Sequence, residues 1–157
     1  MTALNTLQIE TGDNPETTII WLHGLGASGH DFEPVVPEFR FSREQPVRFI
    51  FPHAPELPVT INGGYVMPAW YDILAMDVDR KVDADQLRAS AAMVAELIRQ
   101  EREKGIASES IILGGFSQGG AVAYELALSY PERLGGLFAL STYFATADSI
   151  KLSQNHN

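Results

Sequence analysis

The sequence predicts an α/β fold: a mostly parallel sheet flanked by helices, in a single domain covering residues 1–157. Three observations predict it. Short apolar, β-branched runs alternate with stretches of helical period, the order expected of strands joined by crossover helices. A length of 157 residues is that of one domain. A content of 45% hydrophobic and 20% charged residues belongs to a chain with a packed core, and disagrees with disorder, collagen or a coiled coil.

The elements follow in order. Residues 7–10 are expected as an edge strand. Residues 17–22, Thr-Thr-Ile-Ile-Trp-Leu, form a buried strand that ends at His23-Gly24. Residues 48–51 form a second strand stopped by Pro52. From Pro52 to Asp79 no period persists; Pro and Gly alternate with Tyr65, Met67, Trp70 and Tyr71, so this stretch is expected to be an ordered irregular loop near a site. Leu87, Ala91, Val94 and Ile98 then mark one face of a helix. Asp83 is its N-cap with Gln86 as capping-box partner, and Gly105 supplies the left-handed residue past its end. The charges from Glu101 to Lys104 are expected on a solvated last turn. Residues 110–115 are a third strand. A helix follows from Gln118 to about Ser129, stopped by Pro131, and residues 136–140 are a fourth strand. Both faces of the sheet are expected to be covered.

Composition excludes several functions. Eleven Lys and Arg against twenty Asp and Glu give a net charge of −9. The basic residues form no run, so nucleic acid and anionic membranes are not expected partners. No window approaches about 18 consecutive apolar residues, so no membrane span is expected. Residues 1–13 have neither a basic nor an apolar signal region. Cysteine is absent, which removes disulfides and thiolate metal sites; the cytoplasm is the default location.

The strongest local signal is Gly115-Phe116-Ser117-Gln118-Gly119, a G-x-S-x-G sequence between a strand and a helix. That is the context of a nucleophile elbow, in which a sharp turn projects the serine hydroxyl above the strand ends. Chance would give about 0.05 such matches in a chain of this length. The duller alternative is a glycine-rich turn that only packs strand on helix. A second signal, His23-Gly24-Leu25-Gly26, follows the first buried strand. With the elbow it makes a two-donor oxyanion hole from the N–H of Leu25 and the N–H of Gln118. His23 itself reads as a structural hydrogen-bonding residue. Residues 24–29 also fit G-x-G-x-x-G as letters, but the next strand ends Phe51-Pro52-His53 with no acidic residue, which disfavours a dinucleotide site.

Several pieces then resemble one family in its own order: His23-Gly24-Leu25-Gly26 with His30-Asp31-Phe32; Phe51-Pro52-His53-Ala54-Pro55; Asn62-Gly63-Gly64; Met67-Pro68-Ala69-Trp70-Tyr71-Asp72; Gly115 to Ala121; and Leu140-Ser141-Thr142-Tyr143. Together they resemble the carboxylesterase/acyl-protein thioesterase (phospholipase–carboxylesterase) family of α/β-hydrolases, and look closest to its bacterial carboxylesterases. The resemblance runs from about Thr17 to Tyr143. It implies an α/β-hydrolase sheet, Ser117 as nucleophile, Leu25 and Gln118 as oxyanion donors, and Met67 and Trp70 in a loop shaping the acyl-binding groove. It implies a small-molecule ester or acyl-thioester substrate, and no cofactor or metal.

The family's triad continues with an Asp after a later strand and a His near the C-terminus. Here no strand followed by an acidic residue appears after Ser141, and Asp148 and His156 lack the strand before them. His30 and His53 match family loop motifs and read as structural. The chain is therefore expected to lack the last strands and the base and acid, to pair along its final strand as a homodimer, and to turn over poorly alone. The rival expectation is a non-catalytic hydrolase-like fragment that binds acyl groups without turnover.

Overall fold

The computed structural model describes residues 3–40, 45–76 and 80–154. Thr6–Glu10 forms β1, Thr17–Leu22 β2 and Val47–Pro52 β3. Two hairpins follow: Glu56–Val59 (β4) pairs with Tyr65–Pro68 (β5), and Ile73–Ala75 (β6) with Lys81–Val82 (β7). Helix α1 is Ala84–Glu103, then come β8 (Ile111–Phe116), α2 (Gln118–Ser129) and β9 (Gly136–Leu140). The main sheet has the order β1-β3-β2-β8-β9, with β1 antiparallel and all other pairings parallel.

Side chains alternate across this sheet with the two-residue period of a strand. Ile20 and Leu22 of β2, with Ile111 and Leu113 of β8, are fully buried against Leu87, Val94 and Ile98 of α1 and Val122 of α2. Each such side chain contributes about 1.5–3 kcal/mol of hydrophobic stabilisation. Ile19 and Trp21 face the other way, into a cluster with Val36, Phe49, Phe51 and Phe138, where Trp21 stacks on Phe32 with ring centroids 4.7 Å apart.

Four expectations need correction. Among the described residues, α-helices cover only one face. The second is packed by a 3-10 turn, Glu33–Glu38, in which Pro37 lies inside the element and opposes a regular α-helix. The expected irregular loop contains the first hairpin and β6, the first strand of the second, all too short to show a period; its residues 77–79, including Asp79, lie outside the described residues. The capping box is half made: Asp83 accepts from Gln86 N at 2.9 Å, but the Gln86 carboxamide turns away to accept from Asp72 N at 2.7 Å. Finally, Glu101 is not solvated. It is 1% exposed and accepts from Thr18 Oγ1 and Arg48 at 2.6 Å and from Lys104 at 2.7 Å. Burial pushes its carboxyl up, but these hydrogen bonds outweigh burial and hold it below the ordinary carboxylate range. Gly105, by contrast, takes the expected left-handed conformation at φ 95°.

Candidate active site

The chain runs from β2 to β3 on one side of β2, then crosses to β8 on the other. The carboxyl ends of β2 and β8 therefore flank a topological switch point, where ligands bind in open α/β sheets. The loop after β2 carries residues 23–26, and the turn after β8 carries Ser117.

Ser117 has φ 52° and ψ −120°, a region that non-glycine residues occupy only when the surroundings enforce it. The enforcement is visible. Ser117 N donates to Leu140 O of β9 at 2.9 Å, while Ser117 O accepts from Gly120 N at 3.0 Å and from Thr142 Oγ1 at 2.5 Å. The flanking glycines answer a close approach of three elements. A Cβ on Gly115 would lie 2.4 Å from the Gly119 carbonyl, and one on Gly119 would lie 2.5 Å from the carbonyl oxygens of Leu22 and His23. Ser117 remains partly exposed at the turn.

The loop after β2 touches the nucleophile: a Cβ on Gly24 would stand 3.5 Å from Ser117 Cβ. His23 is buried, and its Nε2 accepts from Ala54 N at 3.0 Å, so its Nδ1 carries the proton and donates to Gly24 O at 2.7 Å. Both ring nitrogens are thus used in one neutral tautomer. Burial lowers the imidazole below its ordinary pKa and outweighs the opposing bond to Gly24. This is the structural role expected of His23. Among the described residues, nothing accepts from the N–H of Leu25 or of Gln118. The first N–H groups of a helix have no partner within it, so the Gln118 amide at the start of α2 and the Leu25 amide are both available to an anionic oxygen.

Met67 lies beside this loop. It is half-buried, and its Sδ would sit 3.7 Å from a Cβ on Gly26. Trp70 does not line a groove: its side chain is fully buried and presents no surface to a ligand. Its Nε1 donates to His23 O at 2.8 Å, so the expectation of substrate contact gives way to a tether on the loop after β2. Sequence reading also missed two anchors around the elbow. The Gln118 carboxamide is buried on residues 70 and 71, and Thr142 holds the Ser117 carbonyl. A hydroxyl on a loop 25 residues away has no local pattern to announce it.

The proton acceptor is not in this constellation. Among the described residues, no histidine or carboxylate hydrogen-bonds Ser117 Oγ. His53 Nδ1 accepts from Gly29 N at 3.0 Å, and exposed His30 pairs with Glu33 at 2.9 Å. Asp148 is exposed on the segment after β9, and His156 lies outside the described residues. Among the described residues, no group of three or more His, Asp or Glu side chains could hold a metal ion.

A serine on a strained strand-to-helix elbow, at the switch point of a mostly parallel sheet, defines the α/β-hydrolase class. The chain belongs to the phospholipase/carboxylesterase family of that fold, whose sequence profile matches residues 4–157. It is 40% identical over 158 residues to acyl-protein thioesterase 1 of Saccharomyces cerevisiae, with 97% of this chain and 69% of the relative covered. It is 42% identical over 132 residues to acyl-protein thioesterase 1 of Gibberella zeae, covering 80% of this chain and 56% of the relative. The crystal structure of Arabidopsis thaliana SOBER1 superposes with a TM-score of 0.76 at 38% identity, over 81% of this chain and 61% of that one. The chain thus spans a little over half to about two thirds of the length of these relatives.

Proposed function

We propose that Ser117 is the nucleophile of a serine hydrolase that cleaves carboxylic ester or thioester bonds of small or acyl substrates. The elbow geometry carries this reading: φ 52° at Ser117, beside two amides with no internal acceptor. Ser117 Oγ attacks the carbonyl carbon as its proton passes to a histidine base, which the family resemblance implies and no described residue supplies at Ser117. The carbonyl oxygen becomes an oxyanion bound by Leu25 N–H and Gln118 N–H. The tetrahedral intermediate expels an alcohol or thiol, which takes the proton, and leaves an acyl-serine. Water then attacks the acyl-serine by the same route and releases the carboxylic acid. Met67 borders the acyl groove. These steps require no cofactor or metal.

The thioester alternative draws support from the names of the yeast and Gibberella relatives. Binding of acyl groups without turnover is the second reading, supported by the lack of a histidine partner for Ser117 among the described residues. A fluorophosphonate separates the two: the hydrolase is labelled at Ser117 in a burst, the binder is not. Ser117→Ala removes the hydrolysis of 4-nitrophenyl acetate while keeping the fold, and hydrolysis retained by that variant overturns the assignment.

We assign the protein to the cytoplasm; no helix among the described residues is long and apolar enough to cross a membrane. Nucleic acid is no partner of so acidic a chain with scattered basic residues. Homodimerisation along β9 follows from its open edge in the described sheet.

A further inference from the structure

We propose that residues 68–71 form a spacer that sets the separation of the two oxyanion amides, with the side chains of Trp70 and Gln118 as its positioning residues. This rests on the reading of Leu25 N and Gln118 N as the oxyanion donors, and adds how they are held in register.

The two amides belong to different elements. Leu25 lies in the loop after β2, and Gln118 opens α2. An oxyanion hole works only when its donors converge on one oxygen at about 2.7–3.1 Å. Yet among the described residues no hydrogen bond joins residues 23–26 directly to residues 117–120. The two elements pack directly where Gly119 meets His23 O, and residues 68–71 add the hydrogen-bonded connection. On one side, the Gln118 carboxamide is 2% exposed; its Oε1 accepts from Trp70 N and its Nε2 donates to Tyr71 O, both at 2.7 Å. On the other side, Trp70 Nε1 donates to His23 O at 2.8 Å, and Gly26 N donates to Pro68 O at 2.8 Å. Leu25 therefore sits between two tethers, at His23 and at Gly26, that lead to one four-residue segment.

That segment is itself fixed. Ala69 N donates to Pro55 O at 2.9 Å, and Ser90 Oγ of α1 donates to Trp70 O at 2.5 Å. The circuit is dry, with Ala69, Trp70, Tyr71, Ser90 and His23 all buried. A buried amide side chain is costly unless both its ends are paired, and here both are spent on two consecutive backbone groups. Gln118 thus acts twice: its main chain supplies a donor, and its side chain grips the segment that positions the other donor. A role in core packing alone would need the bulk of Trp70, but neither its N–H nor the carboxamide.

Two variants that remove polarity test this, Gln118→Met at nearly constant volume and Trp70→Phe with the loss of the pyrrole ring from a buried side chain. Trp70→Phe removes the bond to His23 O, and Gln118→Met removes both bonds to residues 70 and 71. Their kcat for 4-nitrophenyl acetate, normalised to correctly folded protein, is expected to fall 10- to 100-fold with KM unchanged, and the rate of fluorophosphonate labelling of Ser117 to fall in parallel. The double variant is expected to lose little more than the worse single one, because both break one circuit. Independently of turnover, hydrogen exchange at the backbone amides of residues 23–27 is expected to quicken at least tenfold in Gln118→Met while α2 keeps its protection. Unchanged exchange at residues 23–27 overturns the spacer. So does a loss confined to thermal stability, with kcat and labelling intact. If Ser117→Ala keeps the activity, the hydrolase reading falls instead, and the exchange experiment still decides the spacer alone.

Discussion

Gly119→Ala sets two effects of opposite sign against each other. Gly119 is the second residue of α2, and alanine in a helix is favoured over glycine by about 1 kcal/mol. The structure opposes this gain. The new Cβ would lie 2.5 Å from Leu22 O, 2.5 Å from His23 O and 2.7 Å from Leu22 C. A carbon normally approaches a carbonyl oxygen to about 3.3 Å, so something must give by about 0.8 Å. All three atoms are backbone at or just past the end of β2, where Leu22 pairs with Gly115 of β8. The start of α2 therefore moves. Overpacking of this kind costs about 1–3 kcal/mol, and after the helix gain a net loss of up to about 2 kcal/mol remains. The shift also carries the Gln118 amide away from Leu25. Misplacement by about 1 Å costs on the order of 10²-fold in rate, so kcat/KM for 4-nitrophenyl acetate should fall about that much. Urea denaturation and initial-rate kinetics measure the two losses. An alanine variant that gains about 1 kcal/mol and keeps its activity would refute the close-approach account of the elbow.

Other expectations follow from the same structure. Glu101→Ala strips Thr18 of its acceptor and leaves the nearly buried Arg48 with Glu10 alone, and should cost up to about 3 kcal/mol, read as a lower urea midpoint at unchanged slope. His23 has a pKa below its ordinary 6.5 in the folded chain, so the unfolded chain takes up a proton first. Its contribution is full above pH 6.5 and is lost as pH falls below it, by up to about 1.4 kcal/mol per pH unit until the lowered pKa is reached. Chemical denaturation at pH 7.5, 6.5 and 5.5 reads that slope, and a flat profile contradicts the neutral buried imidazole. The open edge of β9 lies beside an apolar depression lined by Ile19, Trp21, Phe49, Ile112, Phe138 and Leu140. For a chain of verified mass 17.2 kDa, light scattering should accordingly find dimers at physiological salt, where charge repulsion is screened beyond about 8 Å; a stable monomer of that mass contradicts this.

What could be read in the sequence follows from the range of the forces involved. The elbow was legible because its glycines answer contacts made at fixed offsets from Ser117. The last helix and strand were legible to the residue, since Gly and Pro punctuate both. Asp83 was legible as a cap because the bond it accepts is three residues away. The position of Glu101 was not. Its acceptor role depends on Thr18, 83 residues earlier in the chain, and on Arg48, 53 residues earlier, so a run of charges looked like a solvated turn. Trp70 is expected in the groove only because the family resemblance implies that its loop shapes it. Its burial depends on His23 and Gln118, 47 and 48 residues distant. The 3-10 turn among the described residues between β2 and β3 is consistent with Pro37 inside it, though a proline alone does not specify a 3-10 turn.

The central claim is that Ser117 is a nucleophile served by the Leu25 and Gln118 amides. It is tested most directly by treating the protein with a fluorophosphonate and locating the adduct by peptide mass spectrometry. The account predicts a single phosphonyl adduct on the peptide carrying Ser117, absent from Ser117→Ala and slowed by unfolding in urea. No adduct, or labelling spread over other serines at the rate seen in the unfolded chain, would contradict it.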